Sequence, residues 1–530
     1  MRRLPAPATD PVRPRPAGPA APPGPYVHLR AAADGVRVHG MRSACLGGGG
    51  RDGAGARGEP FARWEWDGGC LTVGNDRYGM FPLYYWAGPG RIAVSPRIGD
   101  LLALGAPADL DHDALAVFLR MGFFVGEDTP FASVRALPPD ARLRWSPGSF
   151  RLTSGQVVPS RRETGRARAV DDCVELFRQA IGRRMPDGEY VLPLRGGRDS
   201  RHILLELARR GARPRLAVTT AEFVEHDADA RIARHVAEAT GTPHRIVPRP
   251  RSQLRAELVA NRAQQMCTTE GAWLLPVSRS LDGRTPLTYD GLGAAALSHS
   301  PFLNLAREQP ATGGDALALA RWLLMSGRRD RFLPALLDEE GMARFSARRA
   351  ADRLATELRR HTEAAFPLMS FYFWNRTRRA VAAHTCTLLG RGGRLPVRTP
   401  FLDHDLFDLL ASLPPEVLID GGFHTEVIRR AYPRHAHLPY ADEPTPHGPR
   451  FVWGRVRYLT DTLAHVARHD RHWWHGCGGL LPRLLSRHGE GSGTRAVNRL
   501  LPFAVYLLQL DDLSRTSAAA GSSAGTEAGA

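Results

Sequence analysis

The chain has 530 residues, 43% of them hydrophobic and 24% charged, which supplies apolar material for large packed cores. Wholesale disorder, a collagen-like repeat and a disulfide-stapled miniprotein are excluded. Its 71 cationic residues exceed the 54 anionic ones for a net charge of +17, and every cation is an arginine.

The absence of lysine removes any chemistry that needs a lysine amine, while arginine stays protonated at any working pH. The arginines are spread along the chain. With abundant Ala, Gly and Pro they read as coding bias rather than a phosphate-binding footprint, so nucleic acid is not the expected partner. The six cysteines lie far apart with no CxxC pair, which fits reduced thiols. Residues 1 to 25 lack the apolar stretch of a secretory signal, and no apolar run approaches the roughly 18 to 20 residues that span a bilayer. The expectation is a cytoplasmic protein with no membrane partner.

Residues 1 to 25 read as a disordered arm. From 26 to 150 come short alternating segments such as YVHLRAAADGVRVHG and GCLTVGNDRYGMFPLYYW, broken by glycine turns, which predict a β-rich layered domain. Residues 151 to 170, with Pro159 and several arginines, read as a linker. A second domain is expected over 171 to 512. It opens with the helical periodicity of DDCVELFRQAIGRRM and continues as EYVLPL (strand), RDSRHILLELARRG (helix stopped at Gly211), RLAVTT (strand), DADARIARHVAEAT (helix) and HRIV (strand). Alternating β and α units predict a parallel sheet that binds ligands beyond the carboxyl ends of its strands. The part after about residue 305 reads as mainly helical, and 513 to 530 as a disordered tail.

Leu194-Arg195-Gly196-Gly197-Arg198-Asp199-Ser200 spans the strand-to-helix junction. Two glycines let backbone amides approach an anion, the helix start favours negative charge, and a neighbouring carboxylate can hold Mg²⁺ against the same phosphates. The bland alternative is a tight turn with Asp199 or Ser200 as N-cap.

This element resembles the pyrophosphate loop SGGxDS of the N-type ATP pyrophosphatases, and the chain is similar to asparagine synthetases and their relatives. GNDRYGMFPLYY resembles that family's D-R-x-G-x-x-P-L-Y-Y segment, LDHDALAVFLRMGFFVGEDTPFASVRALPPDARLRW its bridge between domains, and RTPFLDHDLFDLLASLPPEV its R-x-P-F-L-D element at Arg398, Pro400, Phe401 and Asp403. The resemblance implies an α/β plus α+β protein: an Ntn-hydrolase-like layered β domain, then a PP-loop parallel sheet of the adenine-nucleotide α-hydrolase-like kind with a helical C-terminal part. It implies ATP and Mg²⁺, adenylation of a small-molecule or peptide carboxylate, and amide formation with an amine or ammonia. ATP would be bound by Leu194, Arg195, Gly196, Gly197, Asp199, Ser200, Thr219 and Gly291, and the metal by Asp199 and Asp290.

The chain departs from the family pattern at several points. The family's N-terminal cysteine nucleophile is missing, since the first thiol is Cys45, which reads as a buried small residue; the chain therefore looks like the β-lactam synthetases and lasso-peptide cyclases, which do not hydrolyse glutamine. Arg195 replaces the loop's first serine and could clamp pyrophosphate or fill its place. Ala295 stands where a metal-binding carboxylate is expected, leaving Asp290 as a ligand or merely a turn residue. Thr425 stands at the family's active-site lysine, so His424, Glu426 or an arginine would carry charge or protons; His424 and Glu426 read equally well as a solvated helix start.

His465, His469, His472, His475 and Cys477 read as a surface helix with packed indoles rather than a zinc site, and Arg376, Arg378 and Arg379 as a solvated face rather than a substrate entrance. Two other readings compete with the ligase: a binding or scaffold protein that kept the fold and lost catalysis, and a PP-loop enzyme that modifies nucleic acid. The oligomeric state is left open.

Overall fold

The structure is a computed structural model that describes residues 24–48, 57–221, 227–250, 252–281, 285–298, 314–327, 329–441, 449–469 and 493–526. It is a mixed α/β protein. Ten strands come first: β1 (Val27–Ala32), β2 (Gly35–Gly40), β3 (Ser43–Gly47), β4 (Phe61–Trp66), β5 (Leu71–Asn75), β6 (Tyr84–Gly88), β7 (Arg91–Ser95), β8 (Arg135–Ala136), β9 (Arg142–Ser146) and β10 (Ser149–Thr153). They form two antiparallel sheets, ordered β2-β1-β7-β6-β8 and β10-β9-β5-β4-β3. Strict alternation makes this possible: on β4, Ala62, Trp64 and Trp66 point inward while Arg63 and Glu65 face solvent. Val27, Leu29 and Ile92 of one sheet share a core with Trp64, Val73 and Leu143 of the other.

Asp76 of the GNDRYGMF segment is the hub of this half. Its carboxylate accepts N–H groups from Phe61, Tyr78, Met80 and Phe81 at 3.0 to 3.3 Å. Burial raises its pKa while those four amides oppose the rise. Cys45 corrects its expectation: it is exposed on β3 at the sheet edge rather than buried.

The second half is built on five parallel strands, β11 (Val191–Pro193), β12 (Leu216–Ala221), β13 (His244–Pro248), β14 (Thr288–Tyr289) and β15 (Val397–Arg398), in the order β13-β12-β11-β14-β15. The chain winds outward from β11 to β13 and then crosses to the other side of β11, so β11 and β14 bracket a topological switch point, where ligand crevices of open α/β sheets form. Helix α1 (Arg166–Gly182) precedes the sheet, α2 (Asp199–Arg209) follows β11, and α3 (Ala228–Ala239), capped by Asp227, follows β12.

Two segments differ from the sequence expectation. The linker shrinks to residues 154 to 165, because 149–153 pair as β10 and α1 starts at Arg166. The tail from 513 is helical as far as Thr526, with Leu513 packed on the core and the Ser514 hydroxyl bonded to the Ala108 carbonyl. The arm at 1–23 lies outside the described residues. The two halves also share one core: Tyr78, Trp86 and Phe118 belong to the same apolar cluster as Phe177, Leu204 and Phe401.

Arg378 and Arg379 are buried in the seam between the halves, bonded to the carbonyls of Leu137 and Asp128, so they are not a solvated face. Nearby, Glu357 is 2% exposed. Burial would raise its pKa, but His361, Arg360 and Arg353 outweigh burial and hold it at about 2. A carboxylate depressed on folding stabilises above its unfolded value and loses that contribution as pH falls through the folded one. Glu357→Gln should therefore flatten the loss of stability between about pH 4.5 and 2 by roughly 3 kcal/mol, read from acid-unfolding midpoints.

Candidate functional site

A cavity of about 390 Å³ opens at the switch point. It is lined by Leu194, Arg195, Gly197, Arg198, Asp199 and Ser200 after β11, by Val218 and Thr220 of β12, and by Asp290 to Gly293, Ala295 and Ala296 after β14. The far wall comes from Trp273, Leu274 and Val277, and from a helical run starting at Pro367–Tyr372. That run continues through π-helical turns at Phe373–Val381 and Thr385–Leu389, which carry Arg376, Thr377, Val381 and Thr385, with His384 between them, onto the cavity side.

Loop amides are only partly open. The Arg195 N–H donates to the Ser200 hydroxyl at 3.0 Å, and the Gly196 N–H donates to Asp229 Oδ1 at 2.7 Å. Asp229 Oδ2 accepts Arg195 Nε at 2.8 Å, and the Arg195 guanidinium lies 5.1 Å from the Trp273 ring centre. Arg195 is thus drawn to the wall by a carboxylate in the first turn of α3, and its side chain is 60% exposed. The glycines serve different ends. A Cβ on Gly196 would meet Ala441 at 2.9 Å, whereas one on Gly197 would find nothing within 4 Å, leaving that amide approachable. Ser200 spends its hydroxyl on Arg195 rather than capping α2, whose N-cap is Arg198.

Asp199 and Asp290 face the same space. Asp290 accepts the Thr385 hydroxyl at 3.3 Å, and its pKa rises to about 6, chiefly from burial, with the Asp199 charge adding to the rise and the Thr385 bond opposing it. Gly291 sets their separation: a Cβ there would come within 2.4 Å of the Asp199 Cβ. Gly291→Ala should therefore displace Asp199 and weaken any ligand held by both carboxylates by about tenfold or more, measurable as the ligand-induced rise in melting temperature.

Of the other expected residues, Thr219 is 1% exposed and bonded to the Leu194 carbonyl and to His244, while its neighbour Thr220 lines the cavity. His424 is buried behind Asp199. Its Nδ1 lies 2.9 Å from the Ser298 hydroxyl and 3.7 Å from Asp199 Oδ1, and its Nε2 is 3.0 Å from Nδ1 of His202, whose pKa burial lowers to about 3. His424 can orient Asp199 but does not line the cavity. Glu426 faces a separate groove, ion-paired with Arg166 at 2.7 Å. His424, 2% exposed, is not a solvated helix start, whereas Glu426 is one, in the first turn of helix Phe423–Ala431 with its side chain 41% exposed.

Several residues escaped sequence reasoning. Arg198 Nε donates to the Thr425 hydroxyl at 2.7 Å, and its guanidinium lies 4.6 Å from the Tyr440 ring centre, so the loop brings a cation to position 425, where the chain has a hydroxyl. Arg201 lies beneath the loop, donating to the carbonyls of Gly196 and Leu438 at 3.3 and 3.2 Å. His384 is 8% exposed on the cavity wall, its Nδ1 has no hydrogen-bond partner among the described residues, and burial lowers its pKa to about 3. Arg376, read from the sequence as part of a solvated face, instead stands on the same cavity wall and pairs with Glu270 at 2.6 Å.

His465 lies on helix Pro449–His469, while His472, His475 and Cys477 fall outside the described residues. Among the described residues no group of three or more His, Cys, Asp or Glu is arranged to hold a metal, and no helix is long and apolar enough to cross a membrane. Compared with known proteins, the sequence matches no family model, and no curated protein matches it.

Proposed function

We propose that the protein is an ATP-dependent amide-forming ligase resembling the asparagine synthetases without glutaminase activity, with an Ntn-hydrolase-like first half and a PP-loop second half. The observation that carries this reading is the glycine loop at the switch point, whose guanidinium is drawn aside by Asp229 so that a cavity of about 390 Å³ remains beside two facing carboxylates. Gly197 and the start of α2 would receive phosphate oxygens, and Asp199 and Asp290 would hold Mg²⁺, which needs few protein ligands when phosphates and water complete its shell. Mg²⁺ would offset phosphate charge as a carboxylate attacks the α-phosphorus and pyrophosphate leaves; an amine then displaces AMP. Arg195 and Arg198 would contribute fixed positive charge at the loop. The second substrate would lie against the apolar wall of Leu274, Val277 and Val381.

The test is nucleotide protection. ATP with Mg²⁺ should raise the melting temperature in a saturable way, and candidate carboxylates should then drive pyrophosphate release. Absence of any ATP-dependent shift would sink the proposal. Arg195→Ala separates clamp from obstruction: with the guanidinium held at the wall, ATP affinity should fall by a few-fold rather than rise.

A further inference from the structure

A second cluster lies on the first sheet, in the half that carries none of the cavity. The register sets Arg37 of β2 opposite Arg30 of β1, and Arg30 opposite Arg91 of β7, so three guanidinium side chains stand in one row across three strands. The next row on the same face is His39 opposite His28. Neighbouring strands are about 4.8 Å apart, so the arginine row spans roughly 10 Å. Among the described residues no carboxylate pairs with Arg30, Arg37 or Arg91; Asp34, in the turn joining β1 to β2, makes no ion pair with them. Some exposed arginines elsewhere, such as Arg161, Arg349 and Arg515, are ion-paired, while the cross-strand pair Arg144 and Arg151 has no ion partner among the described residues and no buried histidine beside it.

Like charges set directly opposite each other across a sheet repel. The arrangement holds a second cost. His28 is 6% exposed, its Nε2 has no hydrogen-bond partner among the described residues, and its ring lies between His39 at 6.0 Å and Trp86 at 6.4 Å. Trp86 also carries the Arg91 guanidinium 4.7 Å from its ring centre, which fixes one end of the row. Burial first, and then the charges of His39, Arg30 and Arg91, lower the His28 pKa to about 4. One bound oxyanion would offset the repulsion and supply the missing partner. The undescribed arm at residues 1–23 has the wrong sign for the task, with Arg2, Arg3, Arg13 and Arg15 against Asp10.

We propose that Arg37, Arg30 and Arg91, with His28 and His39, form a binding site for a phosphate-bearing polyanion, separate from the switch-point cavity and independent of the ligase reading. Guanidinium forks match phosphate oxygens, and a row of three suits a ligand with more than one phosphate. The charged groups that act on His28, namely His39, Arg30 and Arg91, are all basic, so each of them favours an arriving anion.

The test titrates tripolyphosphate, and separately a labelled single-stranded RNA, into the full chain in EDTA, so that a Mg²⁺-dependent nucleotide site does not contribute. Arg30→Gln/Arg37→Gln should weaken binding by at least about tenfold, and Arg91→Gln, which removes the end of the row held against Trp86, should weaken it by a few-fold. The matched control is Arg144→Gln/Arg151→Gln, an exposed cross-strand arginine pair on the other sheet, which should bind as the parent does. Tighter row-dependent binding of tripolyphosphate identifies a free polyphosphate, and tighter row-dependent binding of the RNA identifies a nucleic-acid backbone; either supports the site. Equal losses in the row and control variants would mean unspecific attraction to a chain of net charge +17 and would overturn it, as would no binding of either probe.

Discussion

Arg184→Met is expected to destabilise the protein by about 3 to 5 kcal/mol, the largest effect of any single substitution considered. Arg184 is 1% exposed and joins three segments distant in sequence: its Nε donates to Glu59 at 2.7 Å, its Nη1 to Asp403 at 2.8 Å, and its Nη2 to the Arg57 carbonyl. Glu59 and Asp403 are 2% and 0% exposed. Removing the guanidinium leaves Glu59 in a dry seam without its ion partner, while Asp403 keeps Arg183. Arg184→Met/Glu59→Gln should recover part of the loss, because the orphaned charge disappears with its partner. The check is the urea midpoint of the first unfolding transition. A loss under about 1 kcal/mol would mean that water reaches the seam and that the halves are not locked there.

On the proposed ligase reading, Asp290→Asn should abolish the Mg²⁺-dependent part of ATP binding, a loss of about a hundredfold or more, while affinity measured in EDTA stays within a few-fold of the parent. The two carboxylates face one cavity, and Asp290 titrates near 6 because it is buried beside Asp199. Protons therefore compete with the cation: Mg²⁺-dependent protection should be full above pH 7 and fade towards pH 5, and the fade should vanish in Asp290→Asn. Isothermal titration of ATP at several pH values reads both effects. Equal affinity with and without Mg²⁺ in the parent would remove the metal role from Asp199 and Asp290.

The loop and its carboxylates were legible because they are local. The apolar run before Arg195, the two glycines and the helical periodicity after Ser200 specify a strand, a turn and a helix whatever surrounds them. Asp290 was legible as the residue after a short strand. Thr219 is turned away from the cavity that its neighbour Thr220 lines, and the sequence could not show this because a parallel strand buried on both faces carries no polar alternation to tell which threonine faces the cavity. Cys45 was misjudged because thiols favour interiors on average, and nothing local marks β3 as an edge strand. Arg378 and Arg379 look solvated by residue type, yet their guanidinium groups satisfy carbonyls of the other half, some 240 residues away in sequence.

By itself the sequence determined the first alternating strands and helices of the second half, the change from a β-rich half to a parallel α/β half, and the loop where backbone amides meet a carboxylate. These follow from periodicity and turn chemistry, which act over a few residues. The tertiary structure alone decided that Asp229 turns Arg195 to the cavity wall, that Arg198 reaches Thr425, that His424 stands behind Asp199, and that three arginines align across one sheet. Each of these depends on strand register or on helices packed from distant segments, and no local pattern encodes a distance between side chains that meet only when the chain is closed.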